Sequence, residues 1–158
     1  MRAGVITVSD KGSIGERVDT AGPAVVKLLT ANGIEVSETA MIADERAEIA
    51  ALLRRWSDET GLDLILTAGG TGLAPRDVTP EATQDVAERQ VPGFAEVMRA
   101  ESRKKTPLAD VSRAVVVTRG RTLIINLPGS ERGAVENLEA ILPILPHAVE
   151  VASGNQSH

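Results

Sequence analysis

Leu62-Asp63-Leu64-Ile65-Leu66-Thr67 is a nearly unbroken apolar run. It leads through Ala68 into Gly69-Gly70-Thr71-Gly72 and then Pro75-Arg76-Asp77-Val78-Thr79-Pro80. Without the alternation of a half-solvated strand, such a run reads as a strand buried on both faces. Working outward, the period changes repeatedly. Val5 to Val8 is a short β-branched strand, and Val25, Leu28 and Leu29 follow Thr20 and Pro23 at helical spacing up to an Asn32-Gly33 stop. Ile34 to Ile42 reads as a strand. Ile49, Leu52, Leu53 and Trp56 form the stripe of a helix laid on a sheet, which Gly61 ends. Downstream, a helix is expected from Thr79-Pro80, with Thr79 as cap and Pro80 in the first turn. Another is expected from Pro92-Gly93-Phe94 to about Lys105. Strands 114–118 and 122–127 are joined by the tight turn Arg119-Gly120-Arg121. The last helix starts after Ser130, carries Val135, Leu138, Ile141 and Leu142, and is interrupted or kinked by Pro143 and Pro146. Strand and helix in alternation imply right-handed crossovers. The fold class is therefore α/β, a three-layer α/β/α sandwich with a mainly parallel central sheet, expected as one domain over 1–158.

Composition narrows the function. The 158 residues carry 17 basic and 22 acidic side chains, a formal charge of −5, which argues against nucleic acid or an anionic membrane as partner. There is no Cys, so neither a disulfide framework nor a thiolate nucleophile is available. His147 and His158 are too few for a zinc cluster, and Trp56 and Phe94 are too few for a base-stacking platform. No stretch approaches the ~18 apolar residues of a membrane span. Arg2 to Val8 is too short for a signal peptide, so a soluble cytoplasmic protein is expected. On that expectation the acceptor-like triplet Asn155-Gln156-Ser157 carries no meaning.

In open α/β sheets, ligands bind beyond the carboxyl ends of the strands. The segments there are Ser9-Asp10-Lys11-Gly12-Ser13, Asp44-Glu45, the Gly69-to-Pro80 stretch and Pro128-Gly129-Ser130. Glycines at 69, 70 and 72 let backbone N–H groups approach an anion, and a helix start nearby adds partial positive charge. The loop is equally readable as a tight turn out of a buried strand. It is not a Walker A loop, since no Gly-Lys-Ser/Thr follows, and it does not lie where the dinucleotide fingerprint lies. Asp77 and Asp44 each read either as turn or cap carboxylates or as two carboxylates holding Mg²⁺ against substrate phosphates. Arg99, Arg103, Lys104 and Lys105 read as a solvated helix end. Arg113, Arg119 and Arg121 are candidates for anion binding.

The residues Val8-Ser9-Asp10 with Gly12, Gly69-Gly70-Thr71-Gly72 and Pro75-Arg76-Asp77-Val78-Thr79-Pro80-Glu81-Ala82-Thr83 resemble the molybdopterin adenylyltransferases. So do Pro92-Gly93-Phe94, Met98-Arg99, Ser112-Arg113 and Gly120 through Ser130. These are the MogA-type proteins of the MoaB/Mog family of molybdenum cofactor biosynthesis, similar also to the Cnx and gephyrin G domains. The resemblance implies transfer of AMP from Mg-ATP to the terminal phosphate of molybdopterin, with release of pyrophosphate. It implies Asp77 and Asp44 as catalytic and Mg²⁺-binding residues. Ser9, Asp10, Gly69, Gly70, Thr71, Gly72 and Arg76 would bind substrate or nucleotide, facing Asn126, Pro128, Gly129 and Ser130. It further implies a homotrimer and contact with other proteins of molybdenum cofactor biosynthesis. Glu131-Arg132-Gly133 departs from relatives in which Pro often follows the Pro-Gly-Ser turn. The other reading is a non-catalytic MoaB-type molybdopterin-binding or scaffold protein.

Overall fold

In the computed structural model, which describes residues 1–155, the apolar run forms strand β3 (Leu64–Ala68), and every residue of it is buried. Gln156–His158, and with them His158 and most of the Asn155-Gln156-Ser157 triplet, lie outside the described residues. β3 pairs in parallel with β1 (Arg2–Val8) on one side and β6 (Thr122–Leu127) on the other. β2 (Glu35–Ile42) adds to the far edge of β1, also parallel. Beyond β6 the direction reverses: β5 (Val116–Arg119) and the two-residue β4 (Arg89–Gln90) are antiparallel, giving the order β2-β1-β3-β6-β5-β4. The tight Arg119–Thr122 connection forces that reversal, because a short turn joins only antiparallel neighbours.

Alternate residues of the central strands feed two cores. Val5, Leu64, Leu66, Leu123 and Ile125 pack with α2 (Ala21–Ala31), α5 (Pro92–Arg103), α6 (Glu131–Ile141) and α7 (Leu145–Ala152). Ile6, Val8, Ile65, Val117 and Ile124 pack with α3 (Arg46–Asp58) and α4 (Thr79–Val86). The expected three layers are thus present. The final helix is broken into α6 and α7 at the Pro143–Pro146 segment, as the prolines require.

Three short elements were not expected: α1 (Asp10–Ser13), β4 and a 3-10 turn at Pro107–Val111. Each is too short to show a period. Two expected caps are absent. Thr79 is the first residue of α4 rather than its cap, and its buried Oγ1 has no hydrogen-bond partner. Glu45, not Asp44, occupies the cap position of α3, and it does so without a side-chain bond. Arg99 is no solvated helix end either: its guanidinium donates to the carbonyls of Ser112 and Ala114. Arg103, Lys104 and Lys105 do form exposed ion pairs, with Asp110, Glu101 and Glu136.

Gly4 marks where the layers are tightest. A Cβ there would lie 2.7 Å from both the Trp56 ring and Leu62 Cδ1, and both side chains are buried. Gly4→Ala is expected to lower the unfolding free energy by about 1–3 kcal/mol, measured by chemical denaturation. An unchanged midpoint would mean that the ring does not press on β1.

Candidate functional site

The chain leaves β1 toward β2 through α2 on one face and reaches β3 through α3 on the other. β1 and β3 therefore part at their carboxyl ends, the usual place for a ligand in an open α/β sheet. A cleft of about 390 Å³ opens there. It is lined by Thr7, Val8 and Ser9 after β1, by Ala68, Gly69 and Gly70 after β3, by Thr20 and Ala21 at the start of α2, and by Gly129 and Ser130 at the start of α6. Two eleven-residue helices thus begin at its wall, so the partial positive charge of both falls on it.

Local chemistry holds each wall in place. Asp19 accepts from Thr7 Oγ1 at 2.7 Å and from the Gly22 N–H at 2.9 Å, tying β1 to the first turn of α2. Sequence reading passed over this residue; an Asp three positions ahead of a helical N–H is the signal that could have found it. Ser9 caps α1 through the Gly12 N–H, and Ser130 caps α6 through the Gly133 N–H. Gly69 (φ +114) and Gly70 (φ +68) turn the chain out of β3 in conformations that side-chain-bearing residues rarely adopt. A Cβ on Gly69 would overlap the Val8 carbonyl oxygen. Downstream, the Thr79 N–H donates to the Gly70 carbonyl at 3.1 Å. Arg113 closes the loop from outside, donating to the carbonyls of Gly72 and Asp77 and to both oxygens of Glu81.

The carboxylates converge above this loop. Asp44 Oδ2 accepts from the Asp10 N–H at 2.9 Å, and Asp10 Oδ1 accepts from the Asp44 N–H at 3.0 Å. Asp77 Oδ2 accepts from the Ala74 N–H at 3.0 Å. Oδ1 of Asp44 and Oδ1 of Asp77 accept nothing from protein among the described residues. Built Cβ atoms place both groups against the loop: one on Gly70 would come 3.0 Å from Asp44 Oδ1, and one on Gly72 would come 2.8 Å from Asp77 Oδ2. Burial pushes the Asp44 carboxyl above its ordinary range, and the charges of Asp10 and Asp77 add to that, against the Asp10 N–H bond and Arg76. Two half-engaged carboxylates that repel each other are a donor set suited to a hard divalent cation. Among the described residues no group of three or more His, Asp or Glu side chains could hold a metal ion. A cation on Asp44 and Asp77 would therefore draw further oxygens from a ligand or water.

Several expected site residues lie elsewhere. Asn126 is fully buried: its amide donates to Thr67 and Thr83, and its Oδ1 accepts from the Val115 N–H. It braces β3, β6 and α4 from beneath and does not face the cleft. Thr71 is buried, with its carbonyl bound by the Arg113 N–H, and Pro128 lies off the cleft wall. The Arg76 guanidinium is spent on a bidentate pair with Asp10 and a bond to Glu45. Those pairs raise its pKa, Asp10 foremost, and Arg76 in turn holds the Asp10 carboxyl below its usual range. Arg119 is likewise held by Asp58 and the Val86 carbonyl.

The sequence model of the family described as "Probable molybdopterin binding domain" matches residues 4–147. The chain belongs to this family. A protein of Helicobacter pylori strain 26695 named molybdopterin adenylyltransferase is 42% identical over 154 residues, covering 96% of this chain and 88% of that protein. The protein of the same name in Escherichia coli K12 is 44% identical over 144 residues, 89% of this chain and 73% of its own length. The crystal structure of the molybdopterin biosynthesis enzyme MoaB of Thermus thermophilus superposes with a TM-score of 0.92 at 55% identity, covering 97% of this chain and 96% of that one. The family match spans β1 through the first turn of α7, so every cleft wall lies inside the molybdopterin-binding domain.

The raised Asp44 pKa has a sign. A carboxylate whose pKa is higher in the folded than in the unfolded chain is ionised at a cost to stability above that range. Asp44→Asn keeps an oxygen for the Asp10 N–H and removes the charge. The variant is expected to unfold at a higher temperature than the parent at pH 7, and the gain should vanish as pH falls below the carboxylate range, followed by circular dichroism. A loss of stability at pH 7 would mean that the carboxylate's bond to the Asp10 N–H outweighs the cost of its buried charge.

Proposed function

We propose that this chain is a molybdopterin adenylyltransferase, acting as one domain over residues 1–158 in the cytoplasm. In this reading it transfers AMP from Mg-ATP to the terminal phosphate of molybdopterin. The observation that carries it is the pair of half-engaged carboxylates, Asp44 and Asp77, over a glycine loop at the mouth of β1 and β3. The names of the relatives from H. pylori and E. coli support the substrate.

The reaction asks little of the protein's own nucleophiles. A phosphate oxygen of molybdopterin attacks the α-phosphorus of ATP. The new P–O bond forms as the bond from that phosphorus to the bridging oxygen breaks, and pyrophosphate departs with the electron pair. No thiol, Ser–His pair or covalent intermediate is needed; the chain has no Cys, and the described residues of the cleft wall include no His. Mg²⁺, when bound, would neutralise charge on the transferring and leaving phosphates. Asp44 and Asp77 would hold it through their free Oδ1 atoms. The N–H groups of Gly70 and Gly72, which donate to no protein group among the described residues, would receive phosphate oxygens. The starts of α2 and α6 would add fixed dipoles. The remaining task is alignment of two anions that repel each other, which rigid walls accomplish.

The family reading also proposes a homotrimer of closed cyclic symmetry. Exposed Leu108, Val111, Ile144 and Val151 offer apolar contact for it, and a trimer mass in light scattering at micromolar concentration is the expected result, a monomer mass the contrary one. The activity is tested by Asp77→Asn, which can still accept from the Ala74 N–H. Pyrophosphate release from Mg-ATP and molybdopterin is expected to fall at least about a hundredfold, with folding intact. Near-parental release would remove Asp77 from the chemistry. A parent protein that binds molybdopterin yet releases no pyrophosphate would instead be a non-catalytic carrier.

A further inference from the structure

The charges on the cleft wall do not suit a phosphorylated ligand as they stand. Among the described residues its lining holds three carboxylates, those of Asp19, Asp44 and Asp77, and one guanidinium, that of Arg17. The other arginines near the cleft are committed: Arg76 to Asp10 and Glu45, Arg113 to Glu81 and two carbonyls. Arg17 differs from both. It is exposed, and it makes no hydrogen bond or ion pair to protein among the described residues. Asp19, two residues on, cannot quench it cheaply, because each of its oxygens already holds a donor from Thr7 or Gly22. Those two bonds also anchor the end of the segment that places Arg17 at the cleft wall. Val18 beside it lines the cleft as well and is 83% exposed, which leaves that rim without cover from the rest of the chain.

We propose that Arg17 is the anion-recognising residue of this cleft, a positioning residue that takes a phosphate of the ligand through its forked N–H groups. The inference rests on reading the cleft as a phosphate site. A guanidinium binds two oxygens of a phosphate at once, which fixes orientation as well as charge. It would supply from the protein the positive charge that Arg76 is too occupied to give. The phosphate it holds belongs either to the nucleotide or to the pterin.

The test uses Arg17→Ala and Arg17→Lys in the full chain. Mg-ATP affinity is read by isothermal titration, and the KM for molybdopterin by pyrophosphate release. Arg17→Ala is expected to weaken one of the two by about tenfold or more, with kcat within about threefold and the unfolding midpoint unchanged. Arg17→Lys should fall between, keeping the charge and losing the fork. Loss in the titration assigns the nucleotide phosphate; loss in KM alone assigns the pterin phosphate. Both quantities staying within about twofold of the parent would overturn the proposal. If the parent releases no pyrophosphate, the adenylylation reading fails, and titration of ATP and of molybdopterin into the parent and Arg17→Ala still decides Arg17. Should the parent bind neither ATP nor molybdopterin, the phosphate site and the role of Arg17 fall together.

Discussion

The backbone of Gly69 runs against the carbonyl of Val8 in a conformation with φ +114, leaving no room for a side chain. That close crossing of the ends of β3 and β1 positions the rest of the cleft. It lets the chain rise steeply out of the buried sheet, so that Gly70 passes beneath Asp44 and Thr79 and Gly72 beneath Asp77. It also leaves space for Gly129, whose own Cβ position lies 3.3 Å from the Gly69 Cα. Three chain segments meet there, and two of them, at Gly69 and Gly129, present a hydrogen where a side chain would stand. Arg113 then fastens the loop from the outside, turning a flexible glycine sequence into a rigid one.

Above that scaffold the charges are arranged against each other. The carboxylates of Asp10 and Asp44 each accept from the other's backbone N–H, Arg76 neutralises Asp10, and Asp44 keeps a pKa above its ordinary range because burial and its neighbours Asp10 and Asp77 disfavour its charge. That repulsion costs folding stability while the groups are charged, and the cation proposed for this cleft would relieve it. The exposed ion pairs on α5, in contrast, contribute little either way.

Much of this was legible in the sequence, and the reasons are physical. Leu64 to Ala68 could be read as a doubly buried strand because it lacks alternation, and Pro143 and Pro146 announced the broken last helix. The loop 69–72 and both carboxylates could be placed at one sheet edge because strand order in α/β proteins puts every β-to-α connection there. What could not be read was pairing. Arg76 and Arg113 look alike in sequence, next to Asp77 and Ser112, but one is spent on Asp10 and Glu45 and the other on loop carbonyls. Asn126 sits in a motif that suggests ligand contact, yet the register of β6 against β3 points it into the core, where Thr67 and Thr83 await it. Arg17 carries no motif; what marks it is its place on the cleft wall with no hydrogen bond or ion pair to protein among the described residues. Side-chain partners across 31 or 66 positions of sequence, as for Arg76 with Glu45 and Asp10, leave no local trace.

The central claim is that Asp44 and Asp77 together hold a cation against phosphates lodged on the Gly69–Gly72 loop. A crystal structure with Mn²⁺ in place of Mg²⁺ and a non-hydrolysable ATP analogue tests it most directly, because anomalous scattering locates the metal independently of the ligand. The account predicts one anomalous peak within coordinating distance of Oδ1 of both carboxylates, with nucleotide phosphate oxygens completing its shell and accepting from the Gly70 and Gly72 N–H groups. A peak away from both carboxylates, or phosphates bound with the glycine loop untouched, would contradict it.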